Sequence, residues 1–129
     1  MAAVIDLDTH VVAWLYAGLT ARLSLPVRRL LEANELSISP MVVLELQYLY
    51  ETGRTTEPGH VVVLDLSQRL GLRIRTDPFE HVITQALQQT WTRDPFDRII
   101  VAQPALDRRT LVTKDRSMHA HYPQAFWTA

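Results

Sequence analysis

VIDLDTH, residues 4–10, is the stretch that separates fold classes in this chain. Val4 and Ile5 lead a run that reads as a buried strand over Ala3 to Leu7, and a helix follows from about Thr9 to Tyr16. Side chains alternate along a strand, so Asp6 and Asp8 are expected on one face. Two acids here raise a choice. Both are chemistry, only one is, or Asp8 simply caps the next helix.

The same strand-to-helix step recurs along the chain. Ser24 caps a second helix, with Pro26 in its first turn and Val27, Leu30 and Leu31 on its apolar side. LSIS, residues 36–39, is a brief strand, and Ser39-Pro40 is a cap followed by a first-turn proline. The helix it starts carries Met41, Leu44 and Tyr48 on one stripe, with Val42, Leu46 and Leu49 beside it. A further helix runs from about Val61 to Leu70, closed by Gly71, and LRIR is the third strand. Asp77-Pro78 starts a helix carrying Val82, Ile83, Ala86 and Leu87. RDPFDRIIVAQPAL gives another capped helix, TLVT a buried strand and AFWT a last short one. Alternation of this kind implies parallel crossovers. The expected fold is α/β, a three-layer α/β/α sandwich around a central, mostly parallel sheet. Ligands of such sheets sit at the C-terminal strand ends.

Composition narrows the class. A chain of 129 residues, 47% hydrophobic, is expected to form one domain over residues 1–129 with an ordinary core, and is too apolar to be disordered. The absence of cysteine excludes disulfides and thiolate zinc sites. The first residues lack the basic region of a signal peptide, and no apolar run approaches the roughly 20 residues of a membrane helix. A cytoplasmic protein without membrane contact is expected. Net charge is −1, but from Asp65 onward nine Lys/Arg face seven acids, against four and seven before it. A locally basic half beside acidic clusters is compatible with a phosphate-bearing substrate.

Four places carry acids at pointed positions: Asp6/Asp8 at or near the C-terminal end of the first strand, Glu45 in MVVLELQYLY, Asp94/Asp97 in RDPFD, and Asp115 in LVTKD. Each has a plain structural role available. Asp8 and Asp94 suit helix caps, Asp97 suits a first helical turn, and Asp115 suits a turn after a strand. Glu45 lies between Leu44 and Leu46, where partial burial is expected and a carboxylate needs a partner or a metal. Four carboxylates converging at one sheet end repel one another and raise their own pKa values. Divalent cations make such a cluster tolerable, and oxygen-only donors suit Mg²⁺ or Mn²⁺. The matching chemistry is metal-assisted phosphodiester hydrolysis.

IDLDTHVVAWL, ISPMVVLELQYL, RDPFDRIIVAQ and LVTKDRSM, in this order and spacing, resemble the motifs of PIN-domain ribonucleases, in particular VapC-type toxins of bacterial toxin–antitoxin pairs. The resemblance implies that Asp8, Glu45, Asp97 and Asp115 are catalytic and that Asp8, Asp97 and Asp115 bind metal, with Asp94 an accessory acid and Thr113 a supporting hydroxyl. It also implies a Mg²⁺- or Mn²⁺-dependent endoribonuclease, usually a homodimer, acting on RNA and neutralised by a cognate VapB-type antitoxin. Arg93, Arg98 and Arg116 lie beside the acids and are candidates for holding RNA phosphates. Pro104 departs from the pattern, and a kink or early helix end is expected there.

Two rivals remain open on sequence. A haloacid-dehalogenase-like phosphatase would use Asp6 as nucleophile and Asp8 as general acid, but Lys114, the sole lysine, directly precedes Asp115, and Glu45 and Asp97 would have no role. A catalytically inactive PIN-fold module would bind RNA or protein without cleavage. Among other residues, His10, His119 and His121 are expected to pack, cap or lie at the surface. Trp14, Trp91, Trp127, Tyr48, Tyr50 and Phe96 are core or dimer-interface candidates, with room for one to stack on a base.

Overall fold

The computed structural model describes residues 3–128. Its first unit is the one read from VIDLDTH: β1 spans Val4–Leu7 and α1 spans Thr9–Ala17. Ile5 and Leu7 are buried in the core, as are Val11 and Val12 one turn into the helix. Gly18 ends α1 at a φ of 70°, in the left-handed region where a residue without Cβ is unstrained.

The remaining elements follow in the order α2 (Leu25–Ala33), β2 (Glu35–Ile38), α3 (Pro40–Glu51), α4 (Gly59–Leu70) and β3 (Arg73–Ile74). The chain then continues through α5 (Phe79–Ala86), α6 (Pro95–Leu106), β4 (Leu111–Val112), α7 (Arg116–His121) and β5 (Ala125–Phe126). The capping chemistry behaves as the sequence indicates. Ser24 Oγ accepts from Val27 N, and Ser39 Oγ accepts from Met41 N at 3.0 Å. Asp77 does not cap. Pro78 holds the cap position of α5, and the Asp77 carboxylate instead receives Arg75 Nε at 2.7 Å. A guanidinium within reach outcompetes a backbone amide, because the charge-assisted bond is the stronger.

Among the described residues the sheet has five strands in the order β3-β2-β1-β4-β5, and every pairing is parallel. All C-terminal strand ends therefore share one edge. The chain builds outward from β1 to β3 on one side, then returns to place β4 against the other side of β1. The gap between β1 and β4 is thus the topological switch point, where open parallel sheets bind ligands.

Two details of packing bear on the site. Gly59 opens α4 where α3 passes closely: a Cβ there would lie 2.5 Å from the Val43 carbonyl oxygen and 3.0 Å from Gln47 N. Pro104 is buried inside α6, which continues through it and stops at Leu106. Proline donates no backbone hydrogen bond, and the helix ends within the next turn.

Candidate active site

Two strand ends at one edge of the sheet, those of β1 and β4, and the helices α3 and α6 deliver the acids, and helix capping fixes three of them. Asp8 leaves β1 as the cap of α1, its Oδ1 accepting from Thr9 N at 2.7 Å. Asp115 follows β4 and caps α7, accepting from Met118 N at 3.0 Å. Asp94 caps α6, accepting from Phe96 N at 2.8 Å and from Asp97 N at 3.4 Å. Asp97 occupies the first turn of that helix, and Glu45 comes from α3 beside it. A cap geometry and a site geometry are compatible here because each aspartate has a second oxygen.

Thr113 ties the β1 and β4 ends together. It is fully buried, its hydroxyl donates to Asp8 Oδ2 at 2.7 Å, and the same oxygen accepts from Asp115 N at 3.0 Å. One side chain thereby fixes both an acid on the β1 loop and the loop that carries the next. Asp8 is itself only 5% exposed, so its carboxylate is held in a defined orientation.

Electrostatics show that the acids act on one another. Burial first, then repulsion from Asp94, Asp115, Asp8 and Glu45, pushes Asp97 from its ordinary 3.8 up to about 7. Glu45 is also raised, chiefly by burial, with Asp8 and Asp94 adding to it against a hydrogen bond from Thr9 that favours the ionised form. Asp97 is therefore the focus of the cluster expected from sequence. Among the described residues no three Asp, Glu or His side chains close on a common point. Hydroxyls and backbone amides hold the carboxylates around Asp97 instead. An all-oxygen donor set under this much mutual repulsion fits a hard divalent cation, which would supply the missing positive charge.

Two neighbours of Asp8 escape a reading by motif. Thr9 donates its hydroxyl to Glu45 Oε1, joining the β1 loop to α3. His10 Nε2 accepts from Lys114 N at 3.0 Å, which leaves the proton of the neutral ring on Nδ1, 3.4 Å from Asp8 Oδ2. Both partnerships span long stretches of sequence. The only local signal is polar side chains directly after a strand-end aspartate.

Asp6 belongs elsewhere. It is 1% exposed, receives Arg75 Nη1 at 3.0 Å and the Ser37 hydroxyl, and lies 3.6 Å from Arg109 Nη1. Arg75 also binds Asp77 and Asp107, and Arg109 binds Asp107 at 2.9 Å. This network locks β1, β2 and the segments after β3 and before β4 to one another. A nucleophile enclosed by two arginines has no approach for a phosphate ester, so the geometry disfavours the phosphatase rival. The candidate cations also separate. Arg98 Nε donates to the Thr92 carbonyl at 2.8 Å and braces the turn before α6, whereas Arg93 and Arg116 are exposed.

The sequence model of the PIN domain family matches residues 5–122. Ribonuclease VapC22 of Mycobacterium tuberculosis is 33% identical over 119 residues, covering 89% of both chains. Among solved structures, a chain of VapBC2 from Rickettsia felis bound to a promoter DNA fragment superposes with a TM-score of 0.64 at 18% identity, over 94% of each chain. A chain of a toxin–antitoxin complex from Klebsiella pneumoniae superposes with a TM-score of 0.65 at 20% identity, over 95% of this chain and 96% of that one. The parallel sheet, the carboxylates at its switch point and these likenesses agree: the chain belongs to the PIN domain family.

Proposed function

We propose that the chain is a metal-dependent endoribonuclease and the toxin of a type II toxin–antitoxin pair. The observation that carries this reading is the set of four acids acting on Asp97 at the switch point. The named activity of the 33%-identical relative and the toxin–antitoxin setting of the structural neighbours support it.

Asp8, Asp97 and Asp115 would hold the ion, Mg²⁺ or Mn²⁺, once it draws their carboxylates together, and Asp94 would add negative charge at its edge. A bound ion lowers the pKa of an attacking water and neutralises charge developing on the phosphate. Thr113 keeps the Asp8 carboxylate turned into the site. Glu45 engages Thr9 through Oε1, and its Oε2 accepts the proton of the attacking water. Burial raises its pKa, which makes the carboxylate a stronger base than a free glutamate. Arg93 and Arg116 steady the flanking RNA phosphates from the starts of α6 and α7.

The chain acts in the cytoplasm, as a homodimer neutralised by a VapB-type antitoxin. Among the described residues no helix is long and apolar enough to cross a membrane. Leu44 on α3, with Phe79 and Leu87 at the two ends of α5, presents exposed apolar surface that supports self-association. Expression in a bacterial host tests the reading. The wild-type chain arrests growth, and Asp8→Asn, Glu45→Gln, Asp97→Asn and Asp115→Asn each relieve the arrest. Growth arrest that persists in all four variants would instead support a module that acts by binding alone.

A further inference from the structure

Two aromatic pairs are built on the segments that carry the acids. The Trp91 indole lies parallel to the His121 ring, 5.2 Å between centroids and 6° apart. Both are tied to local partners, Trp91 Nε1 to Gln89 Oε1 at 2.8 Å and His121 Nδ1 to the Ser117 carbonyl at 2.9 Å. Tyr48 meets Phe96 edge to face, 5.3 Å between centroids and 70° apart. Tyr48 stands three residues after Glu45, on the same face of α3, and Phe96 directly precedes Asp97 on α6. The pair therefore adjoins two of the acids at once.

Tyr48 is 48% exposed, although its partner is half-buried. Phe96 braces the Tyr48 ring from the side, so the ring keeps its orientation while part of it remains open to solvent. A preorganised ring loses little freedom on binding. The local charge also matters. A carboxylate cluster repels the phosphates of an incoming strand, so an uncharged contact beside it adds affinity that the acids do not oppose. Base–aromatic stacking is such a contact, and it tolerates any base because each has a π-face.

Building on the nuclease reading above, we propose that Tyr48, braced by Phe96, is a stacking platform for an unpaired nucleobase adjoining the scissile phosphodiester. Tyr48 is then a substrate-positioning residue, and the base it receives stands unpaired beside the scissile bond. A base in a duplex cannot leave its own stack to reach the ring without unpairing.

Steady-state cleavage of a short single-stranded RNA, with and without an abasic nucleotide beside the scissile bond, tests this. Tyr48→Leu is expected to raise KM on intact RNA about tenfold and to leave kcat within about twofold. Tyr48→Phe stays near wild type, because the π-face is kept. On abasic RNA the wild type and Tyr48→Leu become alike, which isolates the pairwise contact. The proposal is overturned if Tyr48→Leu leaves KM unchanged or loses as much on abasic RNA as on intact RNA. It is also overturned if the loss follows a dimer-to-monomer shift in sedimentation that higher enzyme concentration reverses. A wild-type chain that cleaves no RNA with any divalent ion overturns the nuclease reading itself, and the stacking proposal with it.

Discussion

Asp6 and Asp8 stand two residues apart, yet Asp6 Oδ2 accepts from Arg75 Nη1 at 3.0 Å while Asp8 Oδ2 accepts from Thr113 Oγ1 at 2.7 Å. The first contact joins β1 to the segment after β3, and the second joins it to the end of β4. One acid ties the sheet together and the other stands at the proposed site. Asp6→Asn is therefore expected to lower stability by about 3 kcal/mol, the order seen when one partner of a buried ion pair is removed. Cleavage by the folded fraction survives it. Asp8→Asn abolishes cleavage with a much smaller change in stability. Urea unfolding beside an activity assay of both variants checks the split, and the reverse pattern would place the chemistry at Asp6.

Asp97 gives a pH dependence of known sign. Its folded pKa, about 7, lies above its ordinary 3.8, so between those values the folded chain binds more protons than the unfolded one. Stability in EDTA therefore falls as pH rises through that window. Asp97→Asn removes most of this slope and stabilises the metal-free chain at pH 8 by roughly 1–3 kcal/mol, discounting for partial solvent screening. Denaturant melts across pH, in EDTA and in Mg²⁺, check it. Added Mg²⁺ flattens the wild-type slope.

Asp77 gives the opposite sign. Its hydrogen bonds to Arg75 hold its pKa below the ordinary 3.8, against the effect of burial. The stability it contributes is present above 3.8 and is lost as pH falls through the lowered value. Asp77→Asn is expected to be less stable than wild type at neutral pH, with the gap narrowing under strong acid. Acid titrations of the two chains, followed by circular dichroism, report the gap.

Thr113 holds Asp8 without being an acid itself. Removing a group that orients a metal ligand typically costs 10–100-fold in metal affinity. Thr113→Val should raise the Mg²⁺ concentration needed for half-maximal cleavage by about that factor, and Thr113→Ser should restore most of it. A metal titration of cleavage separates this from a loss of fold, which extra Mg²⁺ would not rescue.

Gly59 is where α4 touches α3, with a Cβ position 2.5 Å from the Val43 carbonyl oxygen. Backbone cannot yield cheaply, so Gly59→Ala is expected to destabilise by about 1–3 kcal/mol despite the better helix propensity of alanine. Thermal melts of the variant check the sign.

Local chemistry made much of this legible in the sequence. Ser39-Pro40 and Asp94-Pro95 each carry a cap and a first-turn proline within three residues, and both helices start where those residues place them. The strand-end acids follow from the same logic, because alternating strands and helices bring their ends to one edge. What stayed hidden depends on partners far along the chain. Nothing near Asp6 announces Arg75, 69 residues away, and nothing near Thr9 announces Glu45, 36 residues away. Asp77-Pro78 marks the start of α5, but nothing local announces that the Asp77 carboxylate receives Arg75. Arg98 looked like a free cation beside acids, and the Thr92 carbonyl holds it.

The central claim is that an ion held around Asp97 drives RNA cleavage. Its most direct test is a Mg²⁺ and Mn²⁺ titration of single-stranded RNA cleavage, wild type beside Asp97→Asn. The account predicts saturable, EDTA-sensitive cleavage by the wild type and none by the folded variant at any metal concentration. Cleavage that survives both EDTA and Asp97→Asn would contradict it.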